Sequence, residues 1–68
     1  MITFQPLWET MKAKKISTYA LITRYNVSKG TLDSLKHDRN VTTATLNELC
    51  RILNCDLDEV AAYIPDKN

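Results

Sequence analysis

STYALITRYNVSKGTLDSLKH, the sequence of residues 17–37, contains two short helical patterns separated by a tight turn. Ser17 is a good N-cap for the first helix, and Ser28 is a good N-cap for the second. Between them, Asn26 stands where a chain leaving a helix often turns left-handed, a conformation that asparagine tolerates. The stretch therefore predicts two helices, 17–25 and 28–37, joined by the turn Asn26-Val27-Ser28.

The second predicted helix has a narrow apolar stripe, because only Leu32 and Leu35, with Val27 just before the cap, are spaced for burial. A helix with so few apolar positions lies mostly exposed. A short exposed helix reached by a tight turn suits the major groove of duplex DNA, where small or polar side chains reach base edges and phosphates. Apart from its apolar stripe, the second predicted helix carries polar or small residues: Lys29, Gly30, Thr31, Asp33, Ser34, Lys36 and His37.

Three more helices are expected around this pair. The first of them begins near Pro6, since proline suits a first turn, and another begins after the N-cap Thr42. The last begins at Asp56, with Glu59 placed as in a capping box, and stops at Pro65. The expected inward residues are Leu7, Trp8 and Met11 in the first helix, Leu21, Ile22 and Tyr25 in the second, Leu46, Leu49, Cys50 and Leu53 in the fourth, and Leu57, Val60, Ala61 and Ile64 in the fifth.

The composition favours one all-α domain. A chain of 68 residues has room for a single domain, and a hydrophobic content of 44% supports a packed core. One glycine and two prolines are too few for a loop-rich or all-β chain, because turns use these residues. We therefore expect a single domain over residues 1–68, built from five helices.

The two cysteines, Cys50 and Cys55, are expected to be reduced thiols in an apolar setting. With the lone His37 they supply too few ligands for a zinc site, so we expect no metal and no cofactor. The chain has no apolar run long enough to cross a membrane and no signal-peptide layout, which leads us to expect a cytoplasmic protein.

The net charge of +1 conceals an uneven distribution. Residues 11–40 carry seven Lys or Arg and two Asp, a charge of +5, whereas residues 41–68 carry two basic and five acidic side chains, a charge of −3. A basic half joined to an acidic half suits a polyanion bound to one face, although charge clusters of this size also arise by chance.

The chain resembles a known family. Over the central stretch, Leu21-Ile22-x-x-Tyr25-Asn26-Val27-Ser28-x-x-Thr31-Leu32-x-x-Leu35 resembles the helix-turn-helix core of the XRE regulators, which are similar to the phage repressors Cro and cI. The resemblance implies a five-helix, lambda-repressor-like domain that binds double-stranded DNA and regulates transcription, with repression expected. Two positions depart from the family pattern: Asn26 replaces a frequent glycine, and Ile22 replaces a frequent alanine, which we expect to open the angle between the two helices slightly. Flanking motifs extend the resemblance over nearly the whole chain: Pro6-Leu7-Trp8-x-Thr10, Thr45-Leu46-x-x-Leu49-Cys50-x-x-Leu53-x-Cys55 and Glu59-Val60-x-x-Tyr63-Ile64-Pro65.

Candidate DNA-binding residues follow from these patterns. Ser28 caps the second helix, whose free N–H groups would suit a phosphate. Gly30 allows two interpretations: it lets the helix approach the bases closely, or it is merely a tolerated first-turn glycine. The resemblance implies base-edge contacts at Lys29, Gly30 and Ser34, phosphate contacts near Thr18, Thr31 and His37, and contacts with the DNA backbone at Asn40, Thr42 and Thr43.

The small size of one such module implies a homodimer on a palindromic operator, since useful affinity needs more contact surface. A C-terminal apolar set is either the dimer face or part of the core. An alternative function is a protein-interaction adaptor or antitoxin that keeps the same fold. We do not expect an enzyme, such as a ribonuclease toxin, because His37 has no acid, base or nucleophile partner in the sequence pattern. The C-terminal set comprises Leu57, Val60, Tyr63 and Ile64.

Overall fold

Four α-helices dominate the computed structural model, which describes residues 1–66. Two short strands pair antiparallel, with Ile2 opposite Tyr63 and Thr3 opposite Ala62. Among the described residues, no helix combines the length and apolar character that crossing a bilayer requires. The elements, in chain order, are β1 (Ile2–Thr3), α1 (Gln5–Lys14), α2 (Thr18–Thr23), α3 (Lys29–Lys36), α4 (Thr43–Leu53), a 3-10 turn (Leu57–Glu59) and β2 (Ala62–Tyr63).

Hydroxyl N-caps begin three of the four helices, as the sequence predicts. The side-chain oxygens of Ser17, Ser28 and Thr42 accept hydrogen bonds from backbone N–H groups three residues later, at 3.1, 3.1 and 3.2 Å. Each cap satisfies one of the N–H groups that a helix start leaves without a partner. These caps fix where α2, α3 and α4 begin, and therefore how α3 is presented.

Left-handed residues end three helices. Lys15, Asp38 and Asn54 have φ values of 58, 52 and 50°, and the residue after each one donates its N–H to a carbonyl five residues earlier. This is the Schellman motif, in which glycine is the usual left-handed residue. Asn26 also has a positive φ, 61°, which confirms the predicted left-handed turn between α2 and α3.

The core lies between the helices and the terminal strands. Tyr25 was expected within it but is 38% exposed, because α2 ends at Thr23 and leaves Tyr25 in the turn. Val60 has no exposed surface, so of the two alternatives for the C-terminal apolar set, a place in the core holds for this residue. Ile64, expected to face inward, is half exposed. The buried apolar residues are Phe4, Leu7, Met11, Leu21, Leu32, Leu35, Leu49, Leu53 and Val60.

The predicted fifth helix is wrong. After Asp56, which makes no side-chain capping bond, the chain forms only one 3-10 turn and then extends as β2. The far end of this segment pairs with the other end of the chain, where the Ile64 N–H donates to the Met1 carbonyl at 2.8 Å. A helix this short has little stability of its own, so the long-range pairing prevails.

Candidate nucleic-acid interface

The α3 helix presents one polar face outward. Leu32 is 4% exposed and Leu35 is fully buried, and both hold the helix against the core. Lys29, Gly30 and Lys36 are exposed on the rest of its surface. The helix is therefore anchored by two leucines while its polar groups remain available to a ligand, as the sequence predicts.

The N-terminus of α3 is organised by Ser28. Its Oγ accepts the Thr31 N–H at 3.1 Å and donates to the Thr31 Oγ1 at 2.8 Å. The Ser28 hydroxyl thus already donates its proton to a hydrogen bond within the protein. The hydroxyl of half-buried Thr31 only accepts in this bond, so its own proton is available for a ligand. Of the two predicted contacts, the Thr31 side chain is the better donor, and Ser28 contributes through the helix end that it caps.

A groove of about 300 Å³ separates α2 from α3. It brings together Thr18, at the start of α2, and Lys29, at the start of α3, two residues that the sequence analysis had proposed separately. Ile22 and Lys36 also line it. Lys36 was not among the proposed residues, although its spacing of seven from Lys29 places it on the same helical face.

Acidic charge on α3 is compensated locally. Asp33 accepts from the Arg39 guanidinium at 2.8 Å, and its other carboxylate oxygen lies 3.3 Å from the His37 Nδ1. The His37 ring also contacts the Asp33 carbonyl at 2.9 Å, so this predicted phosphate contact is already engaged with its own helix. Within residues 1–66, neither Lys29 nor Lys36 makes an ion pair. The positive charges of Lys29 and Lys36 are therefore not neutralised by a contacting carboxylate from this part of the chain.

The start of α4 borders the same region. A groove of about 320 Å³ is lined by Ser28 and Thr31 from the beginning of α3 and by Thr45 and Glu48 from α4. The Thr42 hydroxyl caps α4 and contacts the Thr45 hydroxyl at 3.2 Å, while Thr43 is exposed. The two helix starts thus open onto one groove, with threonine hydroxyls on both sides.

The negative charge of Glu48 beside this groove is balanced by an ion pair with Arg51. Arg51 donates to its carboxylate at 2.7 Å. This hydrogen bond lowers the pKa of the Glu48 carboxyl and raises the pKa of the Arg51 guanidinium. Both side chains are more than half exposed, so the pair offsets local charge but adds little stability.

The remaining predicted residues differ in position. Asn40 is exposed but lines a separate, apolar groove of about 570 Å³ with Met1, Ile2 and Tyr63, so it does not join the α2–α3 groove. Ser34 is half-buried in α3. A Cβ built on Gly30 would meet only the Ser28 Oγ, at 4.0 Å. Nothing in the protein itself therefore requires a glycine at position 30.

Comparison with known proteins agrees with this geometry. A sequence model of the Cro/C1-type helix-turn-helix DNA-binding domain matches residues 6–66. The chain is also similar to a solved structure described as the crystal structure of transcriptional regulator VanUg, Form II, with a TM-score of 0.85 and 26% sequence identity over 96% of this chain and 87% of that chain. No curated protein matches the sequence. The matches support DNA binding and a role in regulation.

Proposed function

Because the chain belongs to the Cro/C1-type helix-turn-helix DNA-binding family, we propose that it binds a specific duplex sequence and represses transcription there. In this proposal α3 enters the major groove, α2 lies across it, and the start of α4 contacts the DNA backbone. The observation that carries the proposal is the outward face of α3, where Lys29 and Lys36 lie exposed above two buried leucines and make no ion pair with any residue from 1 to 66.

Base readout is assigned to the first half of α3. The Lys29 ammonium can donate to guanine O6 and N7 in the major groove. Gly30 adds no side chain, which lets the helix backbone come close to the bases. Ser34, one turn further along the same helix, is a shorter-range donor or acceptor.

Phosphate contacts are assigned around this helix. Thr18 lies at the first position of α2, and Thr31 keeps a hydroxyl proton to donate. The main-chain N–H groups after Ser28 face the ligand side of the α3 N-terminus and favour an anion. His37, Asn40, Thr42 and Thr43 complete the proposed set, with Lys36 added as a further positive charge.

The active form is proposed to be a dimer on a palindromic site, because one small module buries too little surface for tight specific binding. Leu57, Tyr63 and Ile64 are each half or more exposed beside β2. Met1 and Ile64 are hydrogen bonded to each other between the two strands, so the main-chain groups of Tyr63, the alternate residue, point away from β1. They point to the outer edge of β2, where no strand pairs among residues 1–66. A second copy paired at that edge would cover both the main-chain groups and the apolar side chains.

A duplex selection from random oligonucleotides, followed by fluorescence titration, tests the proposal. We expect one preferred palindromic sequence and an affinity that falls as salt rises. Lys29→Ala should weaken binding to that sequence by about 10- to 100-fold and relax specificity at one base pair, with an unchanged melting temperature.

Lys12→Ala is the matched control. Lys12 is exposed in the last turn of α1, and its neighbour Lys14 donates to the Asn54 carbonyl at the end of α4 farthest from Thr43. The variant removes the same charge and should leave affinity within about twofold. Absence of any sequence preference in the wild type, together with a protein partner that co-purifies at fixed stoichiometry, would instead favour the adaptor function.

A further inference from the structure

The C-terminal end of α4 brings two cysteines together. The Cys55 N–H donates to the Cys50 carbonyl at 3.0 Å, and the Asn54 N–H donates to the Arg51 carbonyl at 3.3 Å. These two bonds define a Schellman motif, with Asn54 as its left-handed residue. A contact between the side chains of the first and last residues frequently accompanies this motif, and here those residues are Cys50 and Cys55.

The end of α1 provides an internal comparison. The Ile16 N–H donates to the Met11 carbonyl at 3.0 Å across the left-handed Lys15, so Met11 and Ile16 occupy the positions that the two cysteines occupy in α4. Met11 is buried and Ile16 is half-buried. An apolar pair therefore suffices for this turn, and the same turn at the end of α4 does not require thiols.

The two thiols interact and remain within reach of solvent. The Cys50 side chain is among the groups that raise the pKa of the Cys55 thiol, and both thiols are free and only partly buried. Burial, followed by the neighbouring Cys50 and Glu59, raises the pKa of the Cys55 thiol, while Lys14 acts in the opposite direction. A thiol of this kind reacts slowly by itself, so its chemistry depends on the partner thiol beside it.

We propose that Cys50 and Cys55 form a reversible modification site that closes to an intramolecular disulfide when it meets a small-molecule disulfide. One cysteine thiolate attacks the small disulfide, forms a mixed disulfide and releases one small thiol. The second cysteine loses its proton and attacks the protein sulfur of the mixed disulfide, releasing the second small thiol. Overall, one dithiol and one small disulfide yield one protein disulfide and two small thiols.

The location of this site predicts what oxidation changes. The disulfide would lie at the C-terminal end of α4, whereas Thr43 and the proposed DNA-binding residues lie at or beyond its N-terminal end. The helix α4 has 11 residues, so its two ends lie about 15 Å apart. Oxidation should therefore raise the melting temperature by a few degrees and leave DNA affinity within about twofold.

The test is equilibration of the full chain with reduced and oxidised glutathione at several ratios, followed by alkylation of free thiols and intact-mass measurement. We expect a monomer that has lost two hydrogen atoms and takes up no alkyl group. The equilibrium constant for this disulfide should be at least tenfold higher in the native chain than in denaturant, because the folded turn holds the sulfurs together. Cys50→Ser and Cys55→Ser should each stop at a single mixed disulfide with glutathione.

The decisive comparison uses the wild type alone, so it does not depend on how well the serine variants fold. An equilibrium constant no higher in the native chain than in denaturant would overturn the proposal. Oxidation that yields chiefly disulfide-linked dimers, or mixed disulfides on both cysteines, would overturn it as well. Because no DNA enters this experiment, its failure is independent of the DNA-binding proposal.

Discussion

Asp38 accepts a hydrogen bond from the backbone N–H of Phe4 at 2.8 Å. The left-handed residue after α3 therefore caps the start of α1. Phe4 is the N-cap position of α1 but offers no capping side chain of its own. The Asp38 carboxylate also accepts from the buried Thr3 hydroxyl at 3.2 and 3.3 Å. One carboxylate thereby connects the loop after the proposed recognition helix to β1 and α1.

Removal of this carboxylate should destabilise the protein. Asp38→Ala loses a charge-assisted cap and puts alanine at a left-handed position, so we expect a loss of about 2 to 4 kcal/mol in the free energy of unfolding, measured with urea. Asp38→Asn keeps an acceptor oxygen and tolerates the same backbone, and should lose less than half as much. Asp58→Ala, an exposed carboxylate in the 3-10 turn, is the control. Equal effects of the Asn and Ala substitutions would refute this account.

Gly30→Ala should separate folding from binding. Alanine is the better helix former and its Cβ would make only an ordinary contact with the Ser28 Oγ, at 4.0 Å, so the free energy of unfolding should rise by up to about 1 kcal/mol. If α3 approaches the bases at this position, the added methyl group should weaken DNA binding by at least tenfold, measured by titration with the selected duplex. A stabilised variant with full affinity would mean that Gly30 is only a tolerated first-turn glycine.

Lys15→Gly should stabilise the chain. Lys15 has a φ of 58°, and glycine adopts that backbone without the steric cost that a side chain brings, so we expect a gain of about 1 kcal/mol in the free energy of unfolding. Lys12→Gly removes the same charge from within α1 and should cost about 1 kcal/mol. Thermal and urea unfolding of the two variants should move in opposite directions, and a shift of both in the same direction would contradict the assignment.

The Cys55 thiol makes stability depend on pH. Its pKa is raised in the folded chain, so the folded state holds the thiol proton more tightly than the unfolded state does. This contribution is complete below the ordinary thiol pKa and is lost as pH rises through the raised value. Under reducing conditions, the melting temperature of the wild type should therefore fall more steeply than that of Cys55→Ser as the pH rises above about 8.5, the ordinary thiol pKa. Parallel curves would show that the shift has no effect on stability.

Local signals in the sequence were sufficient for the helix starts. Each capping hydroxyl accepts from an N–H only three residues later, so the capping roles depend on neighbouring residues alone. The three capping residues are Ser17, Ser28 and Thr42. The left-handed turn at Asn26 is local in the same sense. The orientation of α3 followed equally from Leu32 and Leu35, because two buried positions three residues apart define one side of a helix.

The two ends of the chain could not be predicted in this way. Apolar spacing from Leu57 to Ile64 resembles a helical face, but Ile64 bonds with Met1, more than sixty residues away. Strands of only two residues are too short to show an alternating apolar pattern in the sequence, so their pairing could not be predicted from it. The capping of Phe4 by Asp38 was missed for the same reason, since a distant side chain satisfies the helix start.

The candidate DNA-binding residues stay a prediction, and the structure adds their arrangement. Thr18 and Lys29 line one groove together with Lys36, a grouping that depends on how α2 packs against α3 and not on spacing along the chain alone. Asn40 lies at a different groove because its loop turns toward the terminal strands. The internal hydrogen bonds of Ser28 and His37 depend on side-chain geometry, which spacing along the chain does not define.

The antiparallel pairing of Ile2–Thr3 with Ala62–Tyr63 brings the beginning and the end of the fold side by side. A short linker across this junction would close the backbone into a ring without displacing a helix, and the ring could then be reopened at an exposed turn such as the one after Lys15. The outer edge of β2 lies beside this junction, so a bulky linker here would hinder the proposed pairing of two copies.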